Sequence, residues 1–244
     1  MAETQFHDLP DGRRIAFRHT PGTGPALVFL PGYMSDMDGT KATTLFAWAQ
    51  EQGREALLLD YSGCGQSSGD FADGALSIWR DEVMSLIGSY LSHPVLLVGS
   101  SMGGWLMLMV ARALGNRLHA MVGIAAAPDF TSWGYDEAER ARLAGGETLL
   151  RHNPYGPEPT PTHAKFWADG EANKQLTDTI PLACPVRLLH SRADSEVPPR
   201  ISLDLADKLY SEDVQVTLIK GGDHRLSREG DIALLLRVVQ SLIE

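Results

Sequence analysis

The sequence predicts an α/β fold: a mostly parallel central sheet of about eight strands, helices on both faces, and a cap insertion. Three observations carry that expectation. Short apolar runs alternate with segments of helical spacing along most of the 244 residues. A glycine-rich turn, Gly99-Ser100-Ser101-Met102-Gly103, joins one apolar run directly to one helical segment. The interval 128–181 breaks the alternation with aromatics and prolines.

Taken in chain order, residues 6–9 and 14–18 flank Pro10-Asp11-Gly12 and predict an N-terminal hairpin on the sheet edge. The runs 26–30, 56–60, 95–99, 120–126, 186–190 and 214–219 are short and apolar, as strands buried on both faces must be. Helices are expected over 40–52, 75–91, 102–114, 200–210 and 231–243, between or after those strands. No internal repeat interrupts the pattern. The interval 128–181 holds Phe130, Trp133, Tyr135, Tyr155, Phe166 and Trp167, a charged helical stretch over 135–143, and a loop with Pro154, Pro157, Pro159 and Pro161. An excursion of that length between two strands is expected to be a lid or binding element. The core is therefore split into 1–127 and 182–244, with a cap at 128–181. The competing reading of the cap aromatics is a small core of their own.

Composition narrows the function. A formal charge of −10 disfavours a nucleic-acid surface or an anionic membrane as partner, since both attract basic patches. Cys64 and Cys184 are far apart and lack ligand spacing, so neither a disulfide framework nor a metal site is expected. No run reaches the length of a spanning helix, so no stable membrane insertion is expected. Residues 1–10 include Glu3, His7 and Asp8 and do not resemble a signal peptide, which makes a soluble, cytoplasmic protein the expectation.

The chemistry begins at Ser101. A strand that turns sharply into a helix needs neighbours with almost no side chain, and Gly99, Gly103 and Gly104 provide them. Ser101 is then exposed at the start of a helix, where free N–H groups favour developing negative charge. A serine hydroxyl needs an imidazole to take its proton and a carboxylate to orient the imidazole. Asp194, in the polar loop after 186–190, is the candidate acid; Glu196 and Asp223 are its rivals. His224, in Gly221-Gly222-Asp223-His224, is the candidate base among eight histidines, and His190 at a strand end reads as a packing residue that seats its loop. The backbone N–H groups of Met102 and of Tyr33, in the Pro31-Gly32-Tyr33-Met34 loop, are the expected oxyanion donors.

Leu30-Pro31-Gly32-Tyr33, Asp60 to Ser67, the Ser101 turn, Leu188-Leu189-His190 through Val197-Pro198, and Asp223-His224-Arg225 together resemble the α/β-hydrolase family. The likeness runs from about residue 25 to the C-terminus. It implies the α/β-hydrolase fold, no cofactor or metal, and the chain order serine, acid, histidine. Under that order His224 is the one histidine after Asp194. The segment Asp38-Gly39-Thr40-Lys41-Ala42 resembles the abhydrolase-domain-containing protein ten branch, which implies hydrolysis of S-palmitoyl protein thioesters and acyl glucuronides.

The expected activity is a serine hydrolase of carboxylic esters or thioesters acting on a small-molecule or acylated-protein substrate. A monoacylglycerol or lysophospholipid lipase and a general carboxylesterase are the alternatives within enzymes. A receptor that keeps the three residues but turns over little is the alternative from another class. The sequence leaves the acyl group and the oligomeric state open.

Overall fold

The computed structural model describes residues 3–154 and 156–243; Tyr155, expected in the cap, and Met1, Ala2 and Glu244, expected in the core segments, lie outside the described residues. One eight-stranded sheet organises the chain, with strands β1 (Gln5–Asp8), β2 (Arg14–Thr20), β3 (Thr23–Leu30), β4 (Arg54–Leu59), β5 (Val95–Ser100), β6 (Leu118–Ile124), β9 (Val186–Ser191) and β10 (Val214–Ile219). Two short strands, β7 (Leu149–Arg151) and β8 (Thr160–Thr162), form a separate pair. The order across the main sheet is β1-β2-β4-β3-β5-β6-β9-β10. β1, β2 and β4 pair antiparallel, which places the predicted hairpin at the edge, and every pair from β4 to β10 is parallel.

Side chains alternate across the strands and so divide the core in two. Ala26, Val28 and Leu30 of β3, with Val95 and Leu97 of β5, face helices α2 (Leu76–Tyr90) and α3 (Met102–Leu114). Leu27, Phe29, Leu96 and Val98 face α1 (Thr40–Glu51) and α8 (Glu229–Gln240) on the other side. The strands are therefore apolar on both faces, which is why they read as continuous hydrophobic runs. α3 carries buried residues almost all round, as a helix between the sheet and an overlying segment must.

Residues 128–181 hold α4 (Phe130–Trp133), α5 (Glu137–Ala144), the β7–β8 pair and α6 (Ala164–Ala172). Their two ends are stitched together by Asp129, whose carboxylate accepts the N–H groups of Gln175 (2.7 Å) and Leu176 (2.8 Å). The proline-rich stretch expected as a loop contains β8, with Pro161 opposite Leu150 in a pair three residues long. The aromatics of this segment divide between two fates. Tyr135 packs with Leu143 and Leu149 in a small cluster touched by Phe130 and Trp167, while Phe166, 1% exposed, joins the main core. Trp105 Nε1 of α3 donates to the Asn173 carbonyl, and Tyr33 Oη to that of Pro161, tying the segment down to the sheet.

Candidate active site

All the candidate residues sit beyond the carboxyl ends of parallel strands, the rim where open α/β sheets hold their ligands. Register explains why they meet. Leu30 pairs with Gly99, Ser100 with Ile124, Ile124 with Leu189, and Ile219 with Ser191, so β3, β5, β6, β9 and β10 end in one row. The loops that follow β3, β5, β9 and β10 carry Tyr33, Ser101, Asp194 and His224.

Ser101 has φ +54° and ψ −120°, a conformation a serine rarely adopts. It is held there by three backbone hydrogen bonds: its N–H to the Ile124 carbonyl (2.9 Å), and its carbonyl to the N–H groups of Gly104 (2.8 Å) and Ala127 (3.0 Å). The glycines permit the turn by closeness of approach. A β-carbon on Gly99 would stand 2.4 Å from the Gly103 carbonyl oxygen, and one on Gly103 would stand 2.1 Å from that of Leu30. Gly103→Ala is therefore expected to push α3 off the end of β3 and to cost about 1–3 kcal/mol in urea unfolding, with a loss of turnover because the Pro31–Tyr33 loop must move. Wild-type stability and rate in that variant would contradict the packing.

Ser101 Oγ lies 3.0 Å from His224 Nε2, and His224 Nδ1 lies 2.8 Å from Asp194 Oδ2. The Asp194 side chain is fully buried, whereas that of His224 is 11% exposed. Burial works against the Asp194 charge, but hydrogen bonds from His190 and His224, with further help from the Val197 N–H, outweigh it and hold the carboxyl well below the usual carboxylate range. Its Oδ1 accepts the N–H groups of Glu196 and Val197, both at 2.9 Å. The rival Asp223 is engaged within its own loop, where its Oδ1 accepts the Arg225 N–H (3.1 Å) and the Leu226 N–H (3.3 Å).

His190 is the residue whose part sequence reasoning understated. Its Nε2 lies 2.9 Å from the Val197 carbonyl, which can only accept, so that nitrogen carries the proton and Nδ1 accepts from Ser202 Oγ at 2.7 Å. The same Nε2–H faces Asp194 Oδ2 at 3.3 Å. His190 therefore seats the loop, as expected, and also steadies the carboxylate. Its place at the end of β9, four residues before Asp194, was the signal.

Tyr33 and Met102 both line the cavity above Ser101, and among the described residues neither N–H enters a turn or loop hydrogen bond. The Pro31-Gly32 turn passes close to the serine: a β-carbon on Gly32 would stand 3.4 Å from Ser101 Cβ. Tyr61 Oη donates to the Pro31 carbonyl at 3.1 Å and fixes the loop from below. The Tyr33 ring points the other way, against Phe71 and Phe166 with centroids 5.0 and 4.8 Å apart.

The cavity has a volume of about 810 Å³. Phe130, Trp133, Tyr135 and Thr162 of segment 128–181 line it together with Val197, His224 and Lys41. Among the described residues, no group of three or more His, Cys, Asp or Glu side chains could hold a metal ion, and no helix is long and apolar enough to cross a membrane.

A family profile described as the alpha/beta hydrolase family matches residues 27–232, most of the chain. The chain belongs to that family. It is similar to palmitoyl-protein thioesterase ABHD10, mitochondrial, from Mus musculus, at 38% identity over 100% of this chain and 83% of that protein. The Homo sapiens protein of the same name is 35% identical over 98% of this chain and 79% of its own length. Among solved structures, a putative hydrolase from Agrobacterium vitis superposes with a TM-score of 0.93 at 36% identity, covering 100% of both chains. These relatives overturn one expectation. Mouse and human ABHD10 are named mitochondrial, so a cytoplasmic location is withdrawn. That expectation rested on residues 1–10, and a compartment is set by a removable address rather than by the folded domain.

Proposed function

We propose that this hydrolase cleaves carboxylic thioesters and esters, S-palmitoyl protein thioesters among them, through an acyl-serine intermediate on Ser101. The observation that carries the reading is the relay Ser101 Oγ–His224 Nε2–His224 Nδ1–Asp194 Oδ2, at 3.0 and 2.8 Å, opening on the cavity. As Ser101 Oγ attacks the acyl carbon, its proton passes to Nε2, and Asp194 stabilises the resulting imidazolium. The N–H groups of Tyr33 and Met102 receive the oxyanion. Nε2–H then protonates the leaving sulfur or oxygen, the C–S or C–O bond breaks, and the acyl group stays on Ser101. Water then gives a proton to Nε2 as its oxygen attacks the acyl carbon, the bond from that carbon to Ser101 Oγ breaks, and Nε2–H returns the proton to Oγ, releasing the carboxylic acid and the free serine.

Residues 128–181 act in this reading as the cap that shapes the acyl site. Phe130, Trp133 and Tyr135 offer an apolar wall suited to a hydrocarbon chain, and the name of the mammalian relatives supports a palmitoyl group. The test is a kcat/KM series over p-nitrophenyl esters and acyl thioesters of rising chain length, with labelling by a fluorophosphonate. A rise toward long thioesters with stoichiometric labelling is the expected outcome. A peak at short oxyesters would overturn the palmitoyl assignment, and absence of labelling would favour a receptor with little turnover.

A further inference from the structure

The segment Asp38–Ala42, singled out in the sequence, has no part in the steps above, yet its lysine reaches the His224 loop. Lys41 is the second residue of α1 and lines the same cavity as Ser101 and His224. Its Nζ donates to the Arg225 carbonyl oxygen and lies 3.5 Å from Ser227 Oγ, which donates to the same oxygen at 3.1 Å. At the other end of that peptide unit, the Leu226 N–H donates to Asp223 Oδ1. The Arg225–Leu226 peptide plane is thus clamped at its oxygen by Lys41 and Ser227 and at its nitrogen by Asp223.

That clamp acts on a plane that would not hold its orientation unaided. Leu226 has φ +45°, a conformation that leucine rarely adopts, and its side chain, 3% exposed, is fixed in the core layer shared with α1 and α8. Backbone of this kind persists only where surrounding contacts over-determine it. His224 stands two residues upstream. The near side of its loop has its own ties, Ser191 Oγ to the Gly222 carbonyl (2.8 Å) and Arg228 Nη2 to that of Gly221 (2.7 Å). Lys41 supplies the tie from α1 on the far side.

We infer that Lys41 is a positioning residue: by clamping the Arg225–Leu226 peptide plane it keeps His224 Nε2 within hydrogen-bond reach of Ser101 Oγ. The inference rests on the roles given to Ser101 and His224 under the proposed function. It accounts for a half-buried ammonium at the edge of an acyl site, where a cation does nothing for a hydrocarbon chain. The charge state of Lys41 then matters. Burial, assisted by the Arg225 guanidinium and opposed by Asp223 in the same loop and Asp231 of α8, brings Lys41 down to about 8. Above that pH the neutral amine donates a weaker hydrogen bond, so turnover should decline on the alkaline side for a reason that an arginine would remove.

The experiment compares wild type, Lys41→Met, Lys41→Arg and Ser101→Ala as whole chains, measuring kcat and KM for a p-nitrophenyl ester against pH, with thermal midpoints. Lys41→Met is expected to lose about 10- to 100-fold in kcat with KM within about twofold, as a small misplacement of a reacting group does. Its alkaline decline near pH 8 should disappear. Lys41→Arg should recover most of kcat and stay active where the wild type declines. If Lys41→Met folds poorly, the Lys41→Arg pH profile decides alone: an alkaline decline unchanged from wild type overturns the inference. A Lys41→Met enzyme with wild-type kcat beside an inactive Ser101→Ala overturns the clamp and leaves the acyl-serine reading intact. A Ser101→Ala enzyme at full activity removes that reading and the clamp together.

Discussion

Ser101→Ala is expected to lower kcat/KM for a p-nitrophenyl ester by about 10⁴-fold or more while leaving the fold in place. The substitution deletes one oxygen. With it go the proposed nucleophile and the hydrogen bond to His224 Nε2, whereas the three backbone bonds that hold the turn remain. An alanine at φ +54° meets the same backbone strain as the serine, so the cost to stability should stay within about 1 kcal/mol. Fluorophosphonate labelling, read as an intact-mass increase, should vanish in the variant. Retained labelling at full stoichiometry would place the nucleophile elsewhere. Retained hydrolysis without labelling would mean that the relay geometry is not what turns the substrate over.

The elbow could be read from the chain because every demand it makes is local: a strand, a residue in a strained conformation, and glycines within two positions of it. The meeting of Asp194 and His224 was legible for a topological reason, since both follow parallel strands that end in one row. What the sequence hid depends on partners distant in the chain. β4 begins at Arg54 rather than two residues later, because Glu55, a residue that looks like loop, is only 5% exposed with both oxygens engaged, by His19 Nε2 at 3.2 Å and His93 Nδ1 at 2.8 Å. α8 begins at Glu229 because Arg228 and Asp231 pair across its first turn. The β7–β8 pair escaped notice because three residues show no period, and a proline in one of them argues for loop. Tyr33 shows both limits at once. Its backbone position followed from the Pro31-Gly32 turn, whereas the reach of its hydroxyl to Pro161, 128 residues on, has no local mark.

Asp194→Asn should cost about 10⁴-fold in kcat with a small change in KM. The carboxylate accepts the Nδ1–H of His224, which leaves Nε2 free to take the serine proton. An asparagine can turn its amide N–H toward Nδ1 instead, and the imidazole then carries its proton on Nε2, where it can no longer act as a base toward Ser101. The second consequence concerns stability. Asp194 sits well below its ordinary range in the folded protein, so its ionisation favours the folded state. That contribution is complete above the unfolded carboxyl value of about 3.9 and is lost as pH falls through the lower folded value. Thermal midpoints of wild type and Asp194→Asn should therefore differ most near neutrality and converge below about pH 4. A gap that stays constant from pH 7 to pH 3 would mean that packing rather than charge explains the loss. A variant with normal kcat would mean that Glu196 or Asp223 orients His224 in solution.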